Sequence, residues 1–311
     1  MAKPRNKFLD VLQYLGLRVF AMFVHMFTLE ANYRGGRIIG NLLFRFDRRH
    51  RNRAIEHLRR SFPGWTESRY RSVARASMRN MIYLGLEFLL TPRLVTHGNW
   101  RRFIQLRNLA EPLRLLLERK GGMILVTGHF GNWEIVGYTL ATLGFPTLSI
   151  ARRMDNPLVD RYILGVRERA GQRILDKRGA TAVVPDALQR KEIVGFIADQ
   201  DAGSRGLFVD FFGRKASTYK AIALMAMEHE VPVVVGCGKR LKEQYGFEIA
   251  AHRIIYPEQW QAQSDPMRWI TQEYTSALEG IIRQAPEQYL WVHRRWKHRP
   301  RGEEQGPDGI A

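Results

Sequence analysis

Apolar residues recur at helical spacing through the first third of the chain. After Arg34 they are separated by three or four positions, with interruptions at Pro63-Gly64 and Pro92. Such spacing lines up one apolar stripe along each helix, and Pro and Gly mark the breaks between helices. The pattern predicts a helical region over residues 34–120, and the recurring positions are Ile55, Leu58, Phe62, Met78, Ile82, Leu86, Leu89, Leu109, Leu113 and Leu116.

The pattern changes at Gly121-Gly122, where short apolar runs begin to alternate with helical stretches. Runs of four to eight apolar residues are typical of buried strands, and alternation with helices indicates parallel pairing. Residues 121–300 are therefore predicted to form an α/β core around a largely parallel sheet, followed by a disordered tail over 301–311. The predicted strands are 123–127, 147–150, 193–198, 207–212 and 231–237.

The segment Val11 to Leu29 is long enough to approach a bilayer crossing, but Arg18 lies near its middle. A central arginine would cost roughly 2.5 to 3.5 kcal/mol on insertion. On a helical projection the polar residues share one arc, and the other side is apolar, which is typical of an interfacial helix. Residues 1–33 are therefore predicted to be an amphipathic membrane-associating helix. The alternative is a helix that packs this apolar side, consisting of Phe8, Leu12, Leu15, Val19, Phe23 and Met26, on the protein's own core.

The net charge of +19 is concentrated at the start of the chain. Residues 1–120 contain 24 Lys and Arg against 8 Asp and Glu, and 39 of the 49 cations in the whole chain are arginines. Arginine suits bidentate contact with phosphate. Nucleic acid, anionic lipid head groups and an acidic carrier protein remain possible partners, and a solvated basic surface without a dedicated partner is the alternative.

A turn that contains a histidine and a glutamate follows the first predicted strand of the core. His129 and Glu134 are separated by four residues, and two glycines flank the histidine. Five positions along one helix would separate the two side chains by about 140°, so they meet only if His129 lies in the turn and Glu134 in the first helical turn. A histidine oriented by a carboxylate is a general base at neutral pH. The turn should lie at the carboxyl end of a parallel strand, where ligands bind in such sheets. A buried structural histidine with a surface glutamate is the alternative.

Four blocks of the sequence resemble the bacterial lipid A biosynthesis acyltransferases, within the wider group of glycerolipid acyltransferases that share a His-x4-Asp/Glu motif. They occur in the order TGHFGNWE, ARRMDNPLVDRYILGVRERAG, IADQDAGSRGLFVDFFGRKAST and PEQYLWVHRRWKHRP, and span Thr127 to Pro300. The resemblance implies an α/β acyltransferase fold. It also implies transfer of an acyl group from a carrier thioester, either of acyl carrier protein or of coenzyme A, to a hydroxyl of a lipid acceptor.

The resemblance further implies a catalytic pair, with His129 as the base and Glu134 as its orienting partner, and it implies neither a metal nor a cofactor beyond the acyl thioester. It places the protein on the cytoplasmic face of the inner membrane, as a monotopic protein or with a single N-terminal anchor. The substrate-binding residues that it implies are Arg152, Asn156, Arg167, Asp199 and Asp201. An arginine among them would bind a head-group phosphate or stabilise the oxyanion of the tetrahedral intermediate.

Two further expectations follow from the matched blocks. The apolar stretch 207–213 is a candidate wall of an acyl-chain channel, with a buried strand as the alternative. The aromatic residues of the last block suit a lipid-water boundary. The chain also departs from the family, which commonly has Arg-Pro where this chain has Arg152-Arg153.

Three other functions compete with direct acyl transfer. A (thio)esterase would use the same pair of residues with water, a basic nucleic-acid-binding protein would use the cations, and a non-catalytic scaffold would only bind membranes. No reader motif for nucleic acid is present, so no nucleic-acid partner is expected. The only cysteine, Cys237, falls in a predicted strand, and it excludes an intrachain disulfide and a Cys-based zinc site.

Overall fold

Four helices make up the first part of the computed structural model, which describes residues 6–118, 121–176, 179–300 and 302. At the start of each helix, a side-chain oxygen of the preceding residue accepts a hydrogen bond from a backbone N–H of the first turn. These capping residues are Asn6, Thr28, Asp47 and Thr66 in turn. These short polar side chains satisfy the free N–H groups of the first turn. The helices are α1 (Lys7–Met26), α2 (Leu29–Phe46), α3 (Arg48–Ser61) and α4 (Glu67–Leu94).

A seven-stranded sheet with helices packed around it follows. In the order in which they pair, its strands are β1 (Ile104–Arg107), β9 (Phe247–Ile255), β8 (Val233–Arg240), β2 (Met123–Thr127), β5 (Ile193–Ile197), β3 (Thr147–Ala151) and β4 (Arg173–Asp176). Every neighbouring pair is parallel except β8 and β9. The predicted α/β class with a largely parallel sheet is confirmed. The remaining helices are α5 (Ala110–Leu117), α6 (Trp133–Thr142), α7 (Pro157–Glu168), α8 (Ala180–Gln189), α9 (Ala221–His229), α10 (Pro257–Gln261) and α11 (Pro266–Gln284).

Several elements differ from the prediction. The sheet includes β1, within the range predicted to be helical, and α2 crosses the predicted boundary at residues 33 and 34. β4 and β9 were not predicted. The run 207–212 forms β6 (Leu207–Phe211), which pairs antiparallel with β7 (Arg214–Thr218) outside the main sheet. Phe212 and Gly213, both at positive φ, form a tight turn between them, and a tight hairpin turn requires antiparallel pairing. The predicted disordered tail lies outside the described residues, except for Gly302.

Aromatic residues of the hairpin and of the C-terminal segment share one buried cluster. Tyr289, Trp291 and Trp296 are each 1–2% exposed, and Phe211 and Phe212 pack beside them. The expectation that the last block lies at a lipid-water boundary is therefore wrong, because these rings fill the core. Phe211 and Phe212 likewise fill the core, as the buried-strand interpretation of residues 207–213 predicted.

Helix α1 turns the predicted apolar side outward, and its opposite side, where Ala21 and Val24 are buried, packs on the protein. The Asn156 side chain donates to the Asp10 carbonyl at 2.8 Å and to Gln13 Oε1 at 3.0 Å, and Arg93 donates to the His25 carbonyl. The six residues predicted to form the apolar side are 47–77% exposed. They do not pack on the protein's own core. By length and composition α1 could cross a membrane, and 11% of its apolar 18-residue stretch is buried.

Candidate functional site

Two neighbouring strands bring His129 and Asp199 together. Thr127 at the end of β2 is in register with Ile197 at the end of β5, and His129 and Asp199 each follow two residues later. The carboxyl ends of parallel strands meet at one edge of a sheet, so the two side chains meet there. His129 Nδ1 lies 2.7 Å from Asp199 Oδ1, and the His129 backbone N–H donates to Asp199 Oδ2 at 2.8 Å.

Asp199 is held as a carboxylate. Burial alone would raise its pKa, but the charge of His129 and the two hydrogen bonds from His129 outweigh burial and lower the pKa of Asp199 to about 2. An ionised carboxylate only accepts hydrogen bonds. The proton between the two side chains therefore belongs to His129 Nδ1, and in the neutral imidazole Nε2 is the basic nitrogen.

The Nε2 side of His129 faces an amide and a second imidazole. Gln200 Nε2 lies 3.3 Å from His129 Nε2 and 3.5 Å from His293 Nε2, and the two imidazole centroids are 4.7 Å apart. Burial, reinforced by His129, lowers the pKa of His293 to about 4, so His293 is neutral at neutral pH. The Trp133 ring meets His129 edge-on at 4.7 Å. The basic nitrogen therefore lies among neutral groups.

Backbone contacts hold the turn that carries His129. The Gly131 N–H donates to the Gln288 carbonyl at 3.0 Å, the Asn132 N–H donates to the Gly238 carbonyl at 2.7 Å, and the Leu290 N–H donates to the His129 carbonyl at 3.0 Å. Gly131 has φ +57°, and a Cβ there would lie 2.2 Å from the Gly238 carbonyl oxygen. Only glycine fits this position without a shift of the backbone.

A buried ion pair supports the turn through a hydrogen bond with Asn132. Asn132 Oδ1 accepts from the Ile135 N–H at the start of α6, and Asn132 Nδ2 donates to Glu87 at 2.9 Å. Glu87 pairs with Arg240 and also accepts from the Tyr33 hydroxyl. Glu87 is completely buried. Each charge has a partner, which is the condition for burying an ion pair.

Glu134 does not form the predicted contact with the ring of His129. It forms a bidentate pair with Arg167 of α7, with Oε1 to Nη2 at 2.6 Å and Oε2 to Nε at 2.9 Å. Burial opposes the charge on Arg167, but Glu134 outweighs burial and raises the pKa of Arg167. The predicted geometry was wrong because the neighbouring parallel strand delivers Asp199 to Nδ1, while Glu134 lies in the first turn of α6 and reaches α7.

Comparison with known proteins identifies the family. Residues 3–298 match the family described as bacterial lipid A biosynthesis acyltransferase. The chain belongs to this family. A lipid A biosynthesis lauroyltransferase of Escherichia coli (strain K12) is 26% identical over 297 residues, covering 94% of this chain and 93% of the relative. A palmitoleoyltransferase of lipid A biosynthesis from the same strain is 25% identical over 298 residues, with the same coverage of both chains. The predicted enzyme class, acyltransferase, is confirmed, and the family acts on a lipid acceptor.

The other predicted binding residues of this acyltransferase have varied surroundings. Arg152 is 82% exposed and pairs with Asp155 on the surface. Asn156 begins α7 and ties it to α1, so its side-chain amide is used within the fold. Asp201 contacts His298 Nδ1 at 2.6 Å. Asp201 directly follows Gln200 in the chain, and Arg152 directly follows the last residue of β3.

Four functional candidates of the acyltransferase were missed in the sequence: Gln200, Asn132, Glu87 and Arg240. Gln200 follows directly after Asp199, so its place in the DQD block was the available signal. Glu87 and Arg240 lie 153 positions apart, and no local pattern links them. Among residues 6–118, 121–176, 179–300 and 302, no group of three His, Cys, Asp or Glu side chains could hold a metal ion. Burial raises the pKa of the Cys237 thiol to about 12, which makes it a poor nucleophile.

Proposed function

We propose that this acyltransferase moves a fatty acyl group from a carrier thioester, of acyl carrier protein or coenzyme A, to a hydroxyl of a lipid A precursor, with His129 as the general base. The observation that supports this most is the contact between His129 Nδ1 and the Asp199 carboxylate, which leaves Nε2 as the proton acceptor. The orienting carboxylate in this mechanism is Asp199 in place of Glu134.

The reaction needs one proton to move twice. Nε2 takes the proton of the acceptor hydroxyl as its oxygen attacks the thioester carbonyl carbon, and Asp199 stabilises the resulting imidazolium. The tetrahedral intermediate then collapses, the C–S bond breaks, and the imidazolium returns the proton to the leaving thiolate. The products are the acylated lipid and the free carrier thiol, and the step requires neither metal nor cofactor.

Glu134 acts in this proposal through Arg167. Its bidentate contact fixes the guanidinium beside the site and leaves Nη1 without a protein hydrogen bond among the described residues. The second carboxylate of the motif is thus a positioning residue. It holds a cation for an anionic group or for the developing oxyanion of the substrates.

The exposed surface of α1 is proposed to lie on the cytoplasmic leaflet of the inner membrane. Its predicted apolar side faces outward, while its opposite side contacts α4 and α7, with Arg18 over the Tyr162 ring. A helix that runs along the surface of the α/β core cannot cross the bilayer and keep these contacts. An interfacial position preserves them.

The test is acyl transfer to a lipid A precursor in mixed micelles, with acyl carrier protein and coenzyme A thioesters compared as donors. We expect His129→Ala to lower kcat at least about 100-fold, since a general base contributes that much. Asp199→Asn should approach this loss, because it removes the carboxylate that holds Nδ1–H. Glu134→Gln should change KM more than kcat.

Controls separate transfer from its competitors. Omission of the lipid acceptor measures hydrolysis of the thioester by water, and Arg114→Gln, on the exposed surface of α5 where Arg114 pairs with Glu111, should retain wild-type turnover. Circular dichroism and thermal unfolding of each variant verify that it is folded. Wild-type turnover in folded His129→Ala would refute the mechanism.

A further inference from the structure

A groove of about 770 Å³ lies between α3, the first turns of α4 and the segment that follows His293. We call it the basic groove, because its lining includes the cations Arg48, Arg49, Arg53, Arg71, Arg294 and Lys297. Its two acidic residues, Glu56 and Glu67, both pair with Arg59, which also lines the groove. The acidic groups therefore do not neutralise these six other cations.

The cations of the basic groove repel one another. Among the described residues, Arg48, Arg49, Arg294 and Lys297 form no ion pair with a carboxylate. Burial, followed by the charges of Arg294 and Arg49, lowers the pKa of Arg53, so these three guanidiniums are close enough to interact. Arg294 Nε is buried without a hydrogen-bond partner. A cluster of close, uncompensated arginines is favourable only when an anion binds to it.

The basic groove and the catalytic site share one segment of chain. Arg294 directly follows His293, whose ring lies 4.7 Å from that of His129. Arg53 Nη1 donates to the Val292 carbonyl at 3.2 Å, and the buried Arg295 donates to the Gln200 carbonyl at 3.2 Å. Residues 292–295 therefore connect the basic groove to the side chains that surround the basic nitrogen.

At its other end the basic groove adjoins the exposed apolar surface. Ile38, Ile39, Leu42 and Phe46 of α2 are 43–72% exposed, and α3 begins with Arg48, two residues after Phe46. Arginines at the edge of an apolar surface are suited to the level of the lipid head groups.

We infer that the basic groove binds the phosphate-bearing head group of the lipid acceptor while the acyl chains of the acceptor remain beside the α1 and α2 surface. This inference rests on the proposed function and names the charge of its acceptor. Arginine forks match phosphate oxygens. A concave groove of this volume fits a sugar head group, whereas a folded carrier protein would need a wide surface of about 800 Å².

The test compares a glycolipid acceptor that carries a phosphate monoester with the same lipid after phosphatase treatment. The variant is Arg49→Gln/Arg294→Gln, and the matched control is Arg101→Gln/Arg102→Gln, which removes the same charge from an exposed turn outside the groove. We expect the groove variant to raise KM for the phosphorylated acceptor about tenfold or more, as loss of charged hydrogen bonds implies. The donor KM, the kcat at saturating acceptor and the control variant should not change.

The dephosphorylated lipid completes the cycle. The dephosphorylated lipid should bind the wild-type protein more weakly than the phosphorylated lipid does. The substitutions in the groove variant should weaken binding of the dephosphorylated lipid little further. Equal losses with both lipids, an unchanged acceptor KM, or a rise in donor KM alone would overturn the inference, and the last result would assign the groove to the carrier of the acyl group.

Binding of the two lipids to His129→Ala, measured by flotation with vesicles, separates this inference from the proposed mechanism. If transfer fails in wild type but phosphate-dependent binding still requires Arg49 and Arg294, the proposed function is refuted and the groove assignment stands. If binding does not depend on phosphate or on these arginines, the groove assignment is refuted.

Discussion

The end of the sheet and the N-terminal helices differ in which side chains they bury and which they expose. At the site, Asp199, Asn132, Glu87 and Arg240 are buried, and each has partners within the chain. On α1 and α2, large apolar side chains are exposed, and the cations that follow at the basic groove have few acidic partners. The first region satisfies its buried polar groups within the chain. The second is suited to contact with something outside the chain, because exposed apolar area and unpaired cations both gain from a lipid surface.

Glu87→Gln should produce the largest change in stability, because it leaves Arg240 as a buried charge without a carboxylate. Breaking such a pair costs about 3 to 5 kcal/mol of the free energy of unfolding. Urea unfolding of variant and wild type measures it. Glu30→Gln is the matched control, since Glu30 is 74% exposed and pairs with Arg34 on the surface, where the expected change is below about 0.5 kcal/mol. Similar effects of both variants would contradict the contrast between the regions.

Leu12→Gln/Phe23→Gln should have the opposite profile. Both side chains are about half exposed in α1, so the free energy of unfolding in the absence of lipid should change little. Binding to anionic vesicles should weaken by about 3 kcal/mol, because two apolar side chains no longer enter the bilayer. Vesicle flotation measures this, with Leu117→Gln as a control on α5, where Leu117 is 71% exposed. Equal binding by both variants would rule out α1 as the lipid-facing surface.

Asp199→Asn should reveal a smaller, pH-dependent effect. The folded-state pKa of Asp199 is about 2, below the ordinary value of about 3.9. Ionised Asp199 therefore stabilises the fold at higher pH, and this stabilisation is lost as the pH falls from about 4 to about 2. The difference in free energy of unfolding between wild type and variant should shrink by about 1 kcal/mol from pH 5 to pH 3. Urea unfolding at both pH values measures it, and a constant difference would show that the carboxylate is not held by His129.

Much of the fold could be predicted because the decisive signals were local. The apolar runs that became β2, β3, β5 and β8 lie in the sheet, and apolar spacing with Pro and Gly breaks indicated the helices of the first third. The prediction placed β6 in the main sheet because a run of apolar residues does not specify the partner strand. The turn at Phe212-Gly213 decided that partner. β1 and β9 pair across more than 140 positions, and no local pattern in either strand predicts that pairing.

The features of the candidate site also divide into those that the sequence indicated and those that only the tertiary structure decided. The sequence alone determined that a histidine follows a buried strand in a glycine-containing turn, because that depends on neighbouring residues. The family resemblance of the matched blocks also implied Asp199 and Arg167, as substrate-binding residues. Only the tertiary structure decided which carboxylate meets which cation. The register of β2 with β5 places Asp199 at the imidazole, and the position of Arg167 on α7 brings it within reach of Glu134 in the first turn of α6. Contacts between distant parts of the chain depend on how whole elements pack, and that packing is not written in the spacing of any one motif.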